Sequence, residues 1–124
     1  LTTLLAGCAS IDERKKTMNL DKSTRNYEKA IRWGEYGMAY GFIDHDEVNA
    51  PEPDLAYLKR IRVTHYEKMT TTVSADETEV RFNIDIRYYN EDTMREVNLI
   101  DRQTWKYNAE DELWLLYSPL PDFK

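Results

Sequence analysis

The chain has 124 residues and a formal net charge of -6, a length that suits one domain. Its acids and bases are interspersed, so there is no basic patch to neutralise phosphates and no polybasic handle for anionic lipid, which excludes a nucleic-acid binder. One cysteine excludes an internal disulfide; no His/Cys cluster has zinc spacing, so neither metal nor cofactor is expected, and no run nears the roughly 20 apolar residues that cross a bilayer.

The first stretch, LTTLLAGCAS, is apolar or small up to Gly7 and holds the lone cysteine, Cys8. Apolar and then small residues before a cut are the last two parts of a signal peptide. Leu5-Ala6-Gly7-Cys8 resembles the bacterial lipobox. The resemblance implies a diacylglyceryl group on the Cys8 sulfur, cleavage before Cys8, and acylation of the new amino terminus with chains such as palmitate. Several acyl chains at one residue anchor stably, because each buried CH2 contributes about 0.8 kcal/mol. Ala9, rather than Asp, follows the cysteine, which points to the outer membrane of a Gram-negative cell, facing the periplasm. The competing reading is a buried free cysteine in a short apolar segment.

Ala9 to Ser23 (ASIDERKKTMNLDKS) is polar, mixed in charge and without regular apolar spacing, which reads as a linker or loosely ordered arm. Its reach is up to roughly 50 Å fully extended. As a flexible coil it would average about 20 Å. The expected organisation is residual signal peptide over 1–7, lipidated cysteine and tether over 8–22, and one α+β domain over 23–124.

Asp21 or Ser23 is placed to cap a helix running to about Asp44. At 100° per residue, Tyr27, Ala30, Ile31, Gly34, Gly37, Met38, Gly41 and Phe42 fall on one face. Each glycine costs a helix about 1 kcal/mol relative to alanine. Close approach of the helix to a sheet would offset that, as would a ligand held between the two. His45 to Asp54 carries two prolines and ends the helix. Pro53 to Leu58 suits one short helical turn, and His45, among acids, reads as a solvated cap.

From Lys59 the pattern switches to period two. Ile61, Val63, His65 and Met69 fall on one side, with Arg60, Arg62, Tyr66 and Lys68 on the other. Val80, Phe82, Ile84, Ile86 and Tyr88 alternate with Arg81, Asn83, Asp85 and Arg87. Val97, Leu99, Asp101, Gln103, Trp105 and Tyr107 share a side of the next run, and LWLLYS closes the series. SADE, NED and AEDE are turn-like. The expected fold class is α+β, with one long N-terminal helix packed on a bent four-stranded antiparallel meander.

Several patterns together carry a resemblance: Tyr27…Ile31-Arg32-Trp33-Gly34-x-Tyr36, Arg60-Ile61-x-Val63-Thr64-x-Tyr66, Ile86-x-Tyr88, Gln103-x-Trp105-x-Tyr107 and Trp114-Leu115. Over roughly Tyr27 to Phe123 the chain is similar to a group of small proteobacterial lipoproteins and to the NTF2-like (cystatin-like α+β) superfamily. That superfamily includes ketosteroid isomerases, dehydratases and non-enzymatic binding modules. The resemblance implies a lipid-anchored cell-envelope protein with a non-catalytic binding or assembly module, its partner an envelope protein or small ligand. A homodimer through open sheet faces is also implied.

The alternative is an anchored isomerase or hydratase. Asp101 and His65 interrupt apolar strand faces, and a carboxylate enclosed beneath the helix would have a raised pKa and suit a general base. His65 would assist, with Tyr40 or Tyr88 donating a hydrogen bond. Otherwise Asp101 pairs with Arg102 or Arg87, His65 sits at a strand edge or is hydrogen-bonded in the core, and a β-bulge would shift either one to the other face. Asp85, between Arg81 and Arg87, reads as part of a solvated ladder of charges. Trp33, Tyr40, Tyr88 and Trp105 are the candidate binding aromatics. The C-terminal SPLPDF either covers a sheet edge or offers Phe123 to a partner. The opening stretch yields a direct expectation: Cys8→Ala abolishes acylation and membrane retention while the domain stays folded. Fractionation with fatty-acid labelling checks this, and unmodified protein that still partitions with membranes would refute it.

Overall fold

The computed structural model describes residues 2–124, with side chains described from residue 11 onward. The Cys8 side chain, expected to carry the lipid, lies outside the described residues. In chain order the elements are α1 (Thr2–Arg32), α2 (Tyr36–Tyr40), α3 (Leu55–Leu58), β1 (Ile61–Val73), β2 (Glu79–Asn90), β3 (Glu96–Asn108) and β4 (Leu113–Leu116). The strands form one open antiparallel sheet in the order β1-β2-β3-β4. This is the expected α+β arrangement of a long N-terminal helix and a four-stranded meander.

Alternation built the sheet as expected on β2, where Val80, Phe82, Ile84, Ile86 and Tyr88 are all buried. The helix lies over that inner face. Tyr27, Ala30 and Ile31 of α1 are fully buried, and Tyr27 meets Trp105 of β3 edge-to-face with ring centroids 5.5 Å apart. Phe42 meets both rings from the side, at 5.7 Å and 6.1 Å. Residues 42–44 then run alongside β4, with Leu116 donating to the Phe42 carbonyl and Asp44 donating to the Leu116 carbonyl. That covers the β4 edge with backbone that would otherwise be unpaired.

Helix α1 differs from expectation at both ends. Residues 11–22, read as a tether, are helical and docked. Trp114 Nε1 donates to the Lys16 carbonyl at 3.0 Å, and Asn19 Nδ2 to the Glu112 carbonyl at 3.2 Å. The Lys16 ammonium lies over the Tyr107 ring at 5.3 Å. Glu, Arg, Lys, Met and Leu have good intrinsic helix propensity, so a segment without an apolar stripe is helical once the β3–β4 hairpin holds it.

At its other end the helix stops at Arg32 instead of continuing to Asp44. Gly34 adopts a φ of +75°, and Glu35 N–H bonds back to the Ala30 carbonyl while Gly34 N–H bonds to that of Ile31. This is a Schellman termination, in which glycine supplies the left-handed residue. The shared face of glycines is therefore not a close approach to the sheet. A Cβ on Gly37 would meet open space, and Met38 is exposed. α3 forms as expected, its N-cap Asp54 accepting from Tyr57 N–H at 3.2 Å.

The C-terminal segment folds back onto the core. Phe123 is buried, edge-to-face with Tyr88 at 4.8 Å and with Tyr36 at 5.7 Å. It fills the end of the core. The two glycines predict opposite outcomes. Gly34→Ala forces a side chain into the left-handed region and destabilises by about 1–2 kcal/mol. Gly37→Ala adds a Cβ into open space in a helical turn and stabilises by about 0.5–1 kcal/mol. Chemical denaturation of both variants checks the pair; destabilisation by Gly37→Ala would restore the close-approach reading.

Candidate functional site

Strand β1 determines which polar residues meet. Its register against β2 slips twice, leaving Thr64 and Met69 as extra residues. Each bulge turns the following residues to the other face. Ile61 and Val63 start on the inner face. After Thr64, Tyr66 pairs with Ile86 and Lys68 with Ile84, so both face inward, where alternation had placed them outward. His65 pairs with Arg87 and turns outward. Asp101 pairs with Ile84 and stays inside. The two candidate catalytic residues therefore lie on opposite faces of the sheet and share no space.

On the inner face a polar chain runs through the apolar core. Trp105 is fully buried, and its indole N–H donates to Gln103 Oε1 at 3.0 Å. That contact orients the amide. Both amide hydrogens are then used: Nε2 donates to Asp101 Oδ2 and to the Tyr66 hydroxyl, each at 2.9 Å. Asp101 is 6% exposed and pairs with neither Arg102 nor Arg87. Burial pushes its carboxyl up to about 6, partly opposed by the bond from Gln103. The same burial raises the hydroxyl pKa of Tyr66, and raises that of Tyr27 well above its ordinary value, with the Asp101 charge adding to both. Tyr27 Oη is buried with no partner.

A cavity of about 120 Å³ opens where α1 crosses the sheet, lined by Asp21, Thr24, Arg25, Glu28, Tyr66, Lys68, Phe82, Ile84 and Gln103. Tyr66 and Gln103 reach its wall; Asp101 does not. Chemically, the arrangement is a protonatable acid behind an amide, with a tyrosine at the opening. Ligand pockets usually run from about 300 Å³ upward, so this opening is smaller than a usual ligand site.

The remaining expected residues are scattered. Trp33 is 79% exposed beside the α1 terminus. Tyr40 donates to the Ala50 carbonyl and Tyr88 to that of Lys124, so both hydroxyls are committed to backbone. Trp105 is core. Of the four candidate binding aromatics, Tyr88 lines a ligand-sized space, a cleft of about 480 Å³ shared with Tyr57, Asn90, Thr93, Arg95, Val97 and Lys124. Tyr57 also borders a second cleft of about 440 Å³, walled by Pro51, Pro53, Pro119, Pro121 and Phe123 among others. On the outer face Asp85 is buried rather than solvated, 3.8 Å from His65 Nε2 and 3.9 Å from Arg87 Nη2. Sequence reasoning passed over Tyr66 and Gln103. Gln103 did carry a signal, an amide on an apolar strand face two residues from a tryptophan.

No protein-family profile, curated protein or solved structure matches this chain. The buried acid makes a prediction with a definite sign. The folded pKa of Asp101, about 6, exceeds that of an unfolded aspartate, so its contribution is fully present below the unfolded value and is lost as pH rises through 6. Asp101→Asn, which keeps an acceptor for Gln103, is expected to stabilise by about 2–3 kcal/mol near pH 8 and hardly at all near pH 4. Denaturant midpoints of both proteins across that range check it, and a difference that does not change with pH would mean that Asp101 does not titrate there.

Proposed function

We propose that this chain is a lipid-anchored protein of the bacterial cell envelope whose α+β domain, of NTF2-like type, is a binding or assembly module rather than an enzyme. Leu5-Ala6-Gly7-Cys8 supports the anchor, and no helix among the described residues is long and apolar enough to cross a membrane. The helix-on-meander order suits the NTF2-like assignment. The observation that carries the binding reading is the cleft at Tyr88 and Tyr57. It is ligand-sized and lined by aromatic, aliphatic and cationic side chains, and Tyr57 also borders the separate proline-walled cleft. The sheet, meanwhile, stands between Asp101 and His65.

A second reading, an anchored isomerase or hydratase, draws on the Asp101 carboxyl at about 6 and the Tyr66 hydroxyl at the cavity wall. The two readings differ in where a ligand sits. Purification of the acylated chain from its native envelope in mild detergent, followed by native mass spectrometry, separates them. The binding reading expects a companion species that Tyr57→Ala removes and Trp33→Ala leaves in place. Loss on Tyr66→Phe instead would favour the cavity under α1, and a chain without companion in every preparation would remove the binding reading.

A further inference from the structure

The outer face of β1 and β2 holds a charge arrangement that the sheet alone does not account for. Glu67 and Asp85 are directly opposed cross-strand partners. Like charges in that position repel unless a positive group stands between them. His65 Nε2 lies 3.1 Å from Glu67 Oε2 and 3.8 Å from Asp85 Oδ2. One donor atom from each of the three residues falls within 4.8 Å of the others. Asp85 is 9% exposed, and its Oδ1 is buried with no hydrogen-bond partner. Leaving a buried carboxylate oxygen bare is unfavourable, because its lost hydration is not replaced. The Arg87 guanidinium, 3.9 Å from Oδ2, is half exposed and beyond hydrogen-bond distance.

We propose that His65, Glu67 and Asp85 form a binding site for a divalent transition-metal ion of the Zn2+ type. Donors about 2.0–2.2 Å from such an ion stand about 3.0–3.6 Å from one another, so the observed spacings need only small side-chain movement. One imidazole and two carboxylates favour Zn2+, Co2+ or Ni2+ over Mg2+ and Ca2+, which take all-oxygen sets. The ion adds positive charge between the opposed Glu67 and Asp85 carboxylates, on the side where Asp85 Oδ2 faces His65. Its ligands come from both strands, so it clips the edge strand β1 to β2, and its exposed side stays open to water or to a donor from another molecule. The sequence had no metal signature because His65-x-Glu67 supplies only two ligands, and the third lies on the next strand. The Thr64 bulge is what turns His65 toward them.

The test uses the full chain in the Cys8→Ala background, so that the thiol does not bind metal, after treatment with chelator. Calorimetric titration with Zn2+ and the visible spectrum with Co2+ are the readouts. One ion per chain is expected, with no comparable binding of Mg2+. His65→Gln, Asp85→Asn and Glu67→Gln should each weaken binding by more than about tenfold, the scale already reached by losing an outer-shell partner. Glu67 is exposed, so that variant folds even if Asp85→Asn does not. His45→Gln, removing the histidine that lies among Asp44, Asp46 and Glu47, should leave binding unchanged. No binding of Zn2+ or Co2+, or binding that survives His65→Gln and Glu67→Gln, overturns the proposal.

Discussion

A fully buried tryptophan brings one polar hydrogen into the core, and the arrangement around it follows from that hydrogen. The ring of Trp105 is fixed by Tyr27 from α1 and by Phe42 from the segment alongside β4. Its N–H donates along its own strand, to Gln103. With Oε1 so engaged, Nε2 has to face Asp101 and Tyr66. A buried donor without a partner would be unfavourable by about 1–3 kcal/mol, so the amide is held in one orientation. The acid at the end of the chain is the price of that order, because burial raises its pKa while a single hydrogen bond opposes the rise.

The second constraint is the pair of bulges in β1. A sheet that alternates without slips would have set His65 and Asp101 on one face, beneath the helix. One extra residue at Thr64 reverses this, taking His65 to the outer face and bringing Tyr66 inward to Gln103. The consequence is two separate polar clusters, one on each side of the sheet. The inner cluster is enclosed and orders the core. The outer one gathers His65, Glu67 and Asp85 beside Arg87. Bulges also suit a long edge strand, since the kinked ladder is a poor template for another chain.

The elements legible in the sequence were those whose signal is local. Strict alternation from Glu79 to Asn90 and the turn residues of SADE, NED and AEDE gave the strands and their antiparallel order. The helical stripe through Tyr27, Ala30 and Ile31 gave the face that is buried. The helix ends were not legible from that stripe. Residues 11–22 carry helix formers without an apolar face, and their docking depends on Trp114 and Glu112, nearly the whole chain away. Gly34 fits a helical repeat and a helix stop equally well; its positive φ is settled by the backbone bonds to Ala30 and Ile31. The candidate site was legible only as single residues. Asp101 was singled out for the right physical reason, a carboxylate on an apolar face, but its partners were misassigned.

By itself the sequence determined the class of the fold, the order of its strands and the inner face of β2, because propensity, period and turn chemistry act over a few residues. The tertiary structure alone decided which polar groups meet. Register between strands is a property of two chain segments at once, and an extra residue in one of them leaves no mark on composition or period. That is why Gln103 and Tyr66 became the neighbours of Asp101, and why His65 joined Glu67 and Asp85 on the far side of the sheet.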